Sequence, residues 1–204
     1  MPPNSRFWSE SGMEGTFEII WHARGGQGAK TASQMVAHAA LSLGKHAQGF
    51  PEYGPERMGA PTRGYTRIAN DPIRVHCAIS EPDVIIVLDE TLLANVPVTE
   101  GASAKTQFLV NTAGSPEEVR AALGVESNRV WTVDATAIAL EEIGRPIPNV
   151  PMMGALAKAS DAVSLQAFEK DVRKKFGSKF GEKVAEGNVR AMRRAYDEVK
   201  SSGD

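Results

Sequence analysis

Two segments of this 204-residue chain concentrate residue types that hold anions. The first is Arg24-Gly25-Gly26-Gln27-Gly28. Three glycines in four positions allow positive φ and let another group come close to the backbone. A helix starting at Ala29 would present free N–H groups to an anion such as a phosphate. The pattern is not G-x-G-x-x-G, and Ala29 precedes Lys30-Thr31 where a Walker loop needs glycine. No acidic residue stands ready to hold a ribose, since that region reads Gln48-Gly49-Phe50. A tight strand-to-helix turn that needs glycine only for packing fits these residues equally well. The second segment is the loop from Pro51 to Gly64, about 14 residues, long for a connection without structure of its own. It carries Glu52, Tyr53, Glu56, Arg57 and Arg63. Arg57 and Arg63 can clamp a phosphate or carboxylate through their planar forks, although loop-internal ion pairs or contacts to a partner chain would use the same residues.

Much other chemistry is absent. Cys77 is the only cysteine, so the chain alone forms no disulfide and holds neither a four-cysteine zinc site nor an ordinary iron–sulfur cluster. His22, His38, His46 and His76 show no metal-ligand spacing, and no G-x-S-x-G elbow occurs. His22, His76 and Cys77 are expected on strands as packed residues, Cys77 as a small buried hydrophobe. No residue is assigned a catalytic or metal-ligating role. Asp89-Glu90 ends an apolar run and either faces a ligand or caps the next helix. Asn149-Val150-Pro151-Met152-Met153-Gly154-Ala155 reads as structural, the proline-flanked asparagine ordering a turn and capping the next helix and the methionines entering the core.

These residues need a scaffold. The balance of 23 basic against 25 acidic residues lacks the basic excess of a nucleic-acid binder. Residues 1–15 are polar without an apolar h-region, and are expected to form a flexible arm, not a signal peptide. The longest nearly apolar stretch, Val84 to Leu88, is far too short to span a bilayer, so no membrane role and a cytoplasmic location are expected. Residues 16–204 are expected to form a single domain. Thr16–Ala23 reads as a strand and Ala29–Leu43 as a helix stopped by Gly44. His46–Phe50 follows as a second strand. Tyr65–Ala69 and Ile73–Ile79, joined by Asn70-Asp71-Pro72, read as a hairpin. Val84–Leu88 is a strand buried on both faces, and Gln107–Asn111 and Arg129–Val133 are further strands. Ser115 caps a helix with Pro116 at its first position, and Asp134 caps another reaching Ile143. Beyond the connector Gly144–Pro151 the pattern is helical: Ser164 caps Leu165–Phe176, and a last helix spans about Glu182–Val199. The expected fold is α/β: a mostly parallel sheet flanked by helices, a middle antiparallel hairpin, and a helical C-terminal tail from about residue 152.

Trp21-His22-Ala23-Arg24-Gly25-Gly26-Gln27-Gly28, followed by Ala29-Lys30-Thr31-Ala32, resembles the opening motif of the γ subunits of 2-oxoacid:ferredoxin oxidoreductases. The similarity continues through Phe50-Pro51-Glu52-Tyr53-Gly54-Pro55-Glu56-Arg57 and Gly59-Ala60-Pro61, then Pro82-Asp83-Val84 to Asp89-Glu90-Thr91-Leu92-Leu93. It resumes at Ile147-Pro148-Asn149, Met153-Gly154-Ala155 and Arg193-Arg194-Ala195-Tyr196, so it runs from about residue 16 to 199. It is nearest to members that act on pyruvate; others act on indolepyruvate, branched-chain 2-oxoacids or oxalate. The resemblance implies oxidative decarboxylation of a 2-oxoacid, the acyl group passing to coenzyme A and electrons to ferredoxin. It implies thiamine diphosphate and iron–sulfur clusters on α-, β- and δ-type partners, with no cofactor bound by this chain alone and no activity when it is isolated. The cofactor- or coenzyme A-facing residues would be Arg24, Gly25, Gly26, Gln27, Gly28, Glu52, Tyr53, Arg57 and Arg63. The alternatives are a stand-alone nucleotide- or CoA-binding module and a purely architectural subunit.

Overall fold

The computed structural model describes residues 15–52 and 58–202. The expected N-terminal arm, apart from Gly15, and the candidate site residues Tyr53 and Arg57 lie outside the described residues. The elements are β1 (Thr16–Arg24), α1 (Ala29–Ser42), β2 (His46–Pro51), β3 (Pro61–Ala69), β4 (Val84–Val87), a 3-10 turn (Glu90–Leu92), β5 (Gln107–Asn111), α2 (Pro116–Leu123), β6 (Val130–Val133), α3 (Ala135–Ile143), α4 (Asn149–Ala159), α5 (Leu165–Phe180), α6 (Glu182–Glu198) and β7 (Lys200–Ser201). The seven strands form one sheet in the order β2-β3-β1-β4-β5-β6-β7. β1, β4, β5 and β6 run parallel; β3 is antiparallel to both β1 and β2, and β7 to β6.

The expected α/β class holds, and so does the antiparallel element, but its strands differ. β3 begins at Pro61 and pairs Tyr65 with Phe50 of β2 and with Ile20 of β1. Both edges of β3 are thereby taken. Ile73–Ile79, expected to pair with it, has no free edge to join and runs as irregular chain. His76 and Cys77 are consequently exposed, contrary to the expectation that they pack in a strand. The last short strand, β7, carries no sequence signal: two residues cannot show a period, and their ladder depends on β6. α4 starts at Asn149, inside the expected connector, because Pro151 falls in its first turn, where no intrahelical N–H donor is required. α5 reaches Phe180, past the expected Phe176.

The caps agree with the sequence. Ser115 accepts from the Glu118 N–H while Glu118 Oε2 accepts from the Ser115 N–H, a complete capping box. Asp134 accepts from Ala137 N and Ser164 from Ala167 N.

Side-chain alternation along the central strands supplies two cores. Val84 and Ile86 of β4 face the larger one with Trp21, Met152, Met153, Phe168 and Met192, under α1, α4, α5 and α6. Ile85 and Val87 face the other, with Phe108, Val119, Leu92 and Val98. All four β4 residues are buried, as a run buried on both faces requires. Gly154 lets α4 and α6 cross closely, since a Cβ there would lie 2.0 Å from the Met192 carbonyl oxygen. The two central parallel strands send their connections to opposite faces. β1 leads into α1 over the larger core, whereas the segment after β4 places Leu92 and Val98 in the second. Such a divergence leaves a crevice at the carboxyl ends of β1 and β4.

Candidate functional site at the carboxyl ends of β1 and β4

The glycine turn lies at this crevice. Gly26 and Gly28 adopt φ of +100° and +86°, and Gly28 is the N-cap residue of α1 with no side-chain cap of its own. Gly25 does not share the positive φ. The turn is tied on three sides. Toward the second loop, Gly25 N donates to Ala60 O (2.8 Å) and Gly59 N to Gly25 O (3.1 Å). Within the turn, Gln27 N donates to Arg24 O (3.1 Å) and Arg24 N to Gln27 Oε1 (2.8 Å). Toward β4, Gln27 Nε2 donates to Asp89 Oδ2 at 2.7 Å.

Arg24 completes the tie. Its guanidinium donates to Thr91 Oγ1 (3.0 and 2.7 Å) and to the Gly59 carbonyl (3.1 Å), with Asp89 3.5 Å from its Nε. Asp89 also caps the 3-10 turn, accepting from Thr91 N at 3.0 Å and Thr91 Oγ1 at 2.5 Å. Partial burial pushes the Asp89 carboxyl up, but the bonds from Thr91 and Gln27 and the Arg24 charge outweigh it and hold the group below its ordinary range. Asp89 therefore takes the capping role, and its free charge is spent inside the protein. Thr91 was not singled out in the sequence; the short spacing Asp89-Glu90-Thr91 is the local signal that fits an Asx-type cap.

The third segment meets the first. Asn149, buried at the start of α4, points its amide at Gly28, Nδ2 lying 3.5 Å from the Gly28 carbonyl oxygen. A Cβ on Gly28 would lie 2.5 Å from that Nδ2. Farther along the strand ends, Asn111 Nδ2 donates to Leu88 O and Thr136 Oγ1 (2.9 and 2.7 Å), and Thr112 bonds Glu90. The rim is thus held by side chains from four strand ends.

Beside the turn, the sheet face built by β2, β3 and β1 carries Arg63, Tyr65, Glu52 and His22. Arg63 pairs with Glu100 at 3.1 Å, and Tyr65 Oη donates to Glu52 Oε1 at 3.3 Å. Burial works against the Arg63 charge, yet the Glu100 bond and the Glu52 charge raise its affinity for the proton above the ordinary value. Burial and the neighbouring Glu52 push the Tyr65 phenol up. Glu100 carries no sequence signal for this role, because its contact spans 37 residues. Arg24, Gly25, Gly26, Gln27 and Gly28 are contiguous at the crevice, and Glu52 and Arg63 adjoin across the β2–β3 pair, where Glu52 N donates to Arg63 O at 2.9 Å.

Two groups give the fold opposing responses to acid. His22 is 3% exposed, and burial first, then the Arg63 charge, lowers its pKa to about 4. Between pH 6.5 and 4 the unfolded chain binds the proton that the folded one refuses. Stability therefore falls on acidification, by at most roughly 3 kcal/mol. Asp83, which accepts from Glu18 N at 2.8 Å, is raised to about 6 by burial and by the Glu18 charge, against that hydrogen bond. Here the folded chain binds the extra proton between about pH 4 and 6, so stability falls as pH rises, again by at most roughly 3 kcal/mol before solvent screening. The two slopes offset each other in the wild type. Thermal midpoints of Asp83→Asn should drop more steeply between pH 6 and 4 than those of the wild type. His22→Gln should reverse that slope; three parallel curves would contradict both assignments.

A family model described as pyruvate ferredoxin/flavodoxin oxidoreductase matches residues 18–198. Pyruvate synthase subunit PorC of Thermotoga maritima is 53% identical over 186 residues, 91% of this chain and 96% of the relative. The pyruvate/ketoisovalerate oxidoreductases common subunit gamma of Pyrococcus furiosus is 45% identical over 183 residues, 90% and 97% of the two chains. A crystal structure of pyruvate oxidoreductase subunit PORC from Thermotoga maritima superposes with a TM-score of 0.82 at 49% identity, covering 93% of this chain and 99% of that one.

Proposed function

This chain belongs to the pyruvate ferredoxin/flavodoxin oxidoreductase family, and on that premise we propose that it is the γ-type subunit of a multi-subunit enzyme that oxidatively decarboxylates pyruvate. The observation that carries the reading is near-full-length identity to chains named as such subunits. In the complex, acyl transfer goes to coenzyme A and electrons go to ferredoxin. The Pyrococcus furiosus relative is named as common to pyruvate and ketoisovalerate oxidoreductases. A subunit shared between two substrates cannot be what selects between them, so the choice of 2-oxoacid belongs to other chains.

The residues of this chain do not suit the redox groups. Cys77 is its single cysteine, and among the described residues no three His, Cys, Asp or Glu side chains converge to hold a metal. The reading assigns thiamine diphosphate and the clusters to α-, β- and δ-type partners and expects the isolated chain to be inactive. Its own contribution is a rigid anion-binding edge. Gly25, Gly26 and Gly28 bring backbone close to a phosphate-bearing ligand, coenzyme A, at the start of α1. Arg24 and Gln27 hold that turn in shape, Glu52 and Arg63 line the approach, and Tyr53 and Arg57 are assigned to the same ligand on their residue types alone. No helix of the described chain is long and apolar enough to cross a membrane; the reading itself, not that absence, puts the assembly in the cytoplasm.

The test is to purify the tagged chain from its native cell. It should arrive with larger chains bearing thiamine diphosphate and iron–sulfur clusters, and that assembly should reduce ferredoxin when given pyruvate and coenzyme A. The chain stripped of partners should turn over nothing. Pyruvate oxidation by the isolated chain, or an assembly inert toward pyruvate, defeats the reading.

A further inference from the structure

The two described arginines near the glycine turn are held differently. Arg24 spends three nitrogens on Thr91 and the Gly59 carbonyl, with Asp89 beside it. Arg63 gives Glu100 one hydrogen bond, Nη2 to Oε2 at 3.1 Å, and has the Tyr65 hydroxyl as its other polar neighbour. The pair is lopsided: the Arg63 side chain is 26% exposed and that of Glu100 65%. One end-on bond to a carboxylate standing in water is the weak form of this ion pair; the strong form is the two-bonded fork. Glu100 therefore loses little by turning away, whereas Arg63 stays with β3. The backbone beneath Glu100 is fixed. Gly101 has φ +78°, and a Cβ there would lie 2.0 Å from the Ser80 carbonyl oxygen, so this segment is seated tightly on the chain that leads into β4. Glu100 N donates to Pro97 O (3.1 Å) and Ala102 N to Thr99 O (3.0 Å). What is left free to move is the Glu100 side chain.

The charges around Arg63 act in one direction. His22, directly opposite on β1, is buried and neutral at pH 7, so Arg63 stands between two carboxylates, Glu52 and Glu100. With both in place the cluster is net negative and repels an anion. With Glu100 turned into water, Arg63 and Glu52 balance and the fork is open. The β1–β3 ladder sets Arg63 opposite His22 and Pro61 opposite Arg24, which puts Arg63 two residues, roughly 7 Å, back along the sheet from the start of the turn. We propose that Glu100 is a displaceable internal ligand, which occupies Arg63 in the empty chain and gives way to a second phosphate group of the ligand whose first phosphate lies on the glycine turn. The inference rests on the function proposed above, where that ligand is coenzyme A, a molecule with a diphosphate and a separate ribose phosphate. A phosphate accepts two parallel bonds from a guanidinium and so outcompetes the single bond to Glu100. Glu100 is then a brake on affinity and a filter: a compound without the second phosphate has nothing with which to displace it.

The experiment is a double-mutant cycle in the assembled complex. Glu100→Gln should raise kcat/KM for coenzyme A by roughly two- to fivefold, the span that an exposed ion pair of this kind withholds. Damage to the fold does not produce such a gain. Arg63→Met should lower kcat/KM by about tenfold or more, as loss of a charge-assisted contact requires. With Arg63→Met in place, Glu100→Gln should have no further effect, because the brake acts through Arg63. Equal kcat/KM in the wild type and Glu100→Gln overturns the proposal, and so does a gain that persists in the double variant, since that is general repulsion and not exchange. In a second arm, pyrophosphate is titrated into the full chain while NMR follows the ring protons of His22, which faces Arg63. The midpoint should fall by a similar factor in Glu100→Gln, and the response should vanish in Arg63→Met. Equal midpoints in the wild type and Glu100→Gln, no response in either, or a response that survives Arg63→Met each overturn the exchange. A wild-type complex inert toward pyruvate refutes the functional reading instead, and the pyrophosphate arm still decides the role of Glu100.

Discussion

Gly28→Ala lowers the stability of the fold by about 3 kcal/mol, and about half of that loss is traceable to one neighbour. Two costs combine. At φ +86° an alanine bears left-handed strain of roughly 1–2 kcal/mol. Its Cβ would also press to 2.5 Å from Asn149 Nδ2, and the buried asparagine must move. Crowding of that kind costs roughly 1–3 kcal/mol. For a chain of this size the thermal midpoint falls by roughly 6–12 °C. The double variant Gly28→Ala/Asn149→Ala separates the two costs. It should be less destabilised than the sum of its single variants by about 1–2 kcal/mol, leaving the backbone strain in place. Strict additivity would mean that the turn and the start of α4 are not in contact. In the complex, Gly28→Ala should raise the coenzyme A KM if the turn faces that ligand. An intact complex with unchanged KM would leave the turn an architectural feature.

That coupling marks the boundary of what could be read from the residues alone. The glycine turn and the Asn149 segment are each visible as patterns, since positive φ and a proline-flanked turn are local matters; the cap expected of Asn149 does not form, because α4 already includes it and Pro148 takes the N-cap position without a side-chain bond. Their meeting was not visible, because 121 residues separate them and only the stacking of α4 against α1 joins them. The parallel strands β4 and β6 announce themselves by short β-branched runs and β5 by the apolar run Phe108-Leu109-Val110, and the caps Ser115, Asp134 and Ser164 by residue type. Ile73–Ile79 has the composition of a strand and does not form one, for the converse reason. A β-prone composition describes a segment, but pairing is decided by which edges are free, and β1 and β2 occupy both edges of β3. The burial expected for Cys77 failed with it. Arg24 shows the same limit within the site. Its type suits an anion ligand, and only the folded chain reveals that its donors are already divided among Thr91, Gly59 and Asp89. What remains for a ligand at this crevice is the glycine backbone, which makes the shape of the turn matter more than the charge beside it.

Arg67→Met is expected to cost more than the glycine substitution, roughly 3–5 kcal/mol, and to do so in a pH-dependent way. Arg67 is 3% exposed. It donates to Glu18 Oε1 at 2.5 Å and to the carbonyls of Cys77 and Ala78 at 2.7 and 3.2 Å, with its guanidinium 5.7 Å from the centre of the Phe50 ring. It thus pins the irregular segment 73–79 over the sheet face in place of a strand ladder. Methionine keeps the packing of the stem but removes every donor. The two carbonyls lose their partner, and Glu18 becomes a half-buried anion with no counter-ion. Asp83 already feels that anion, which helps raise its pKa to about 6. Without Arg67 the repulsion is unopposed when both carboxylates are ionised. The sign follows directly: protonating either carboxyl relieves the repulsion, so the deficit of Arg67→Met is largest above pH 6 and shrinks toward pH 5. Glu18→Gln in the same chain should recover part of the loss and flatten this dependence, because it removes the stranded charge while leaving the carbonyls unpaired. Thermal unfolding of the wild type, Arg67→Met and Arg67→Met/Glu18→Gln at pH 5 and 8 measures each step. A deficit equal at the two pH values would show that Arg67 acts through the carbonyls alone, and the Glu18–Asp83 coupling would then have no part in stabilising this face.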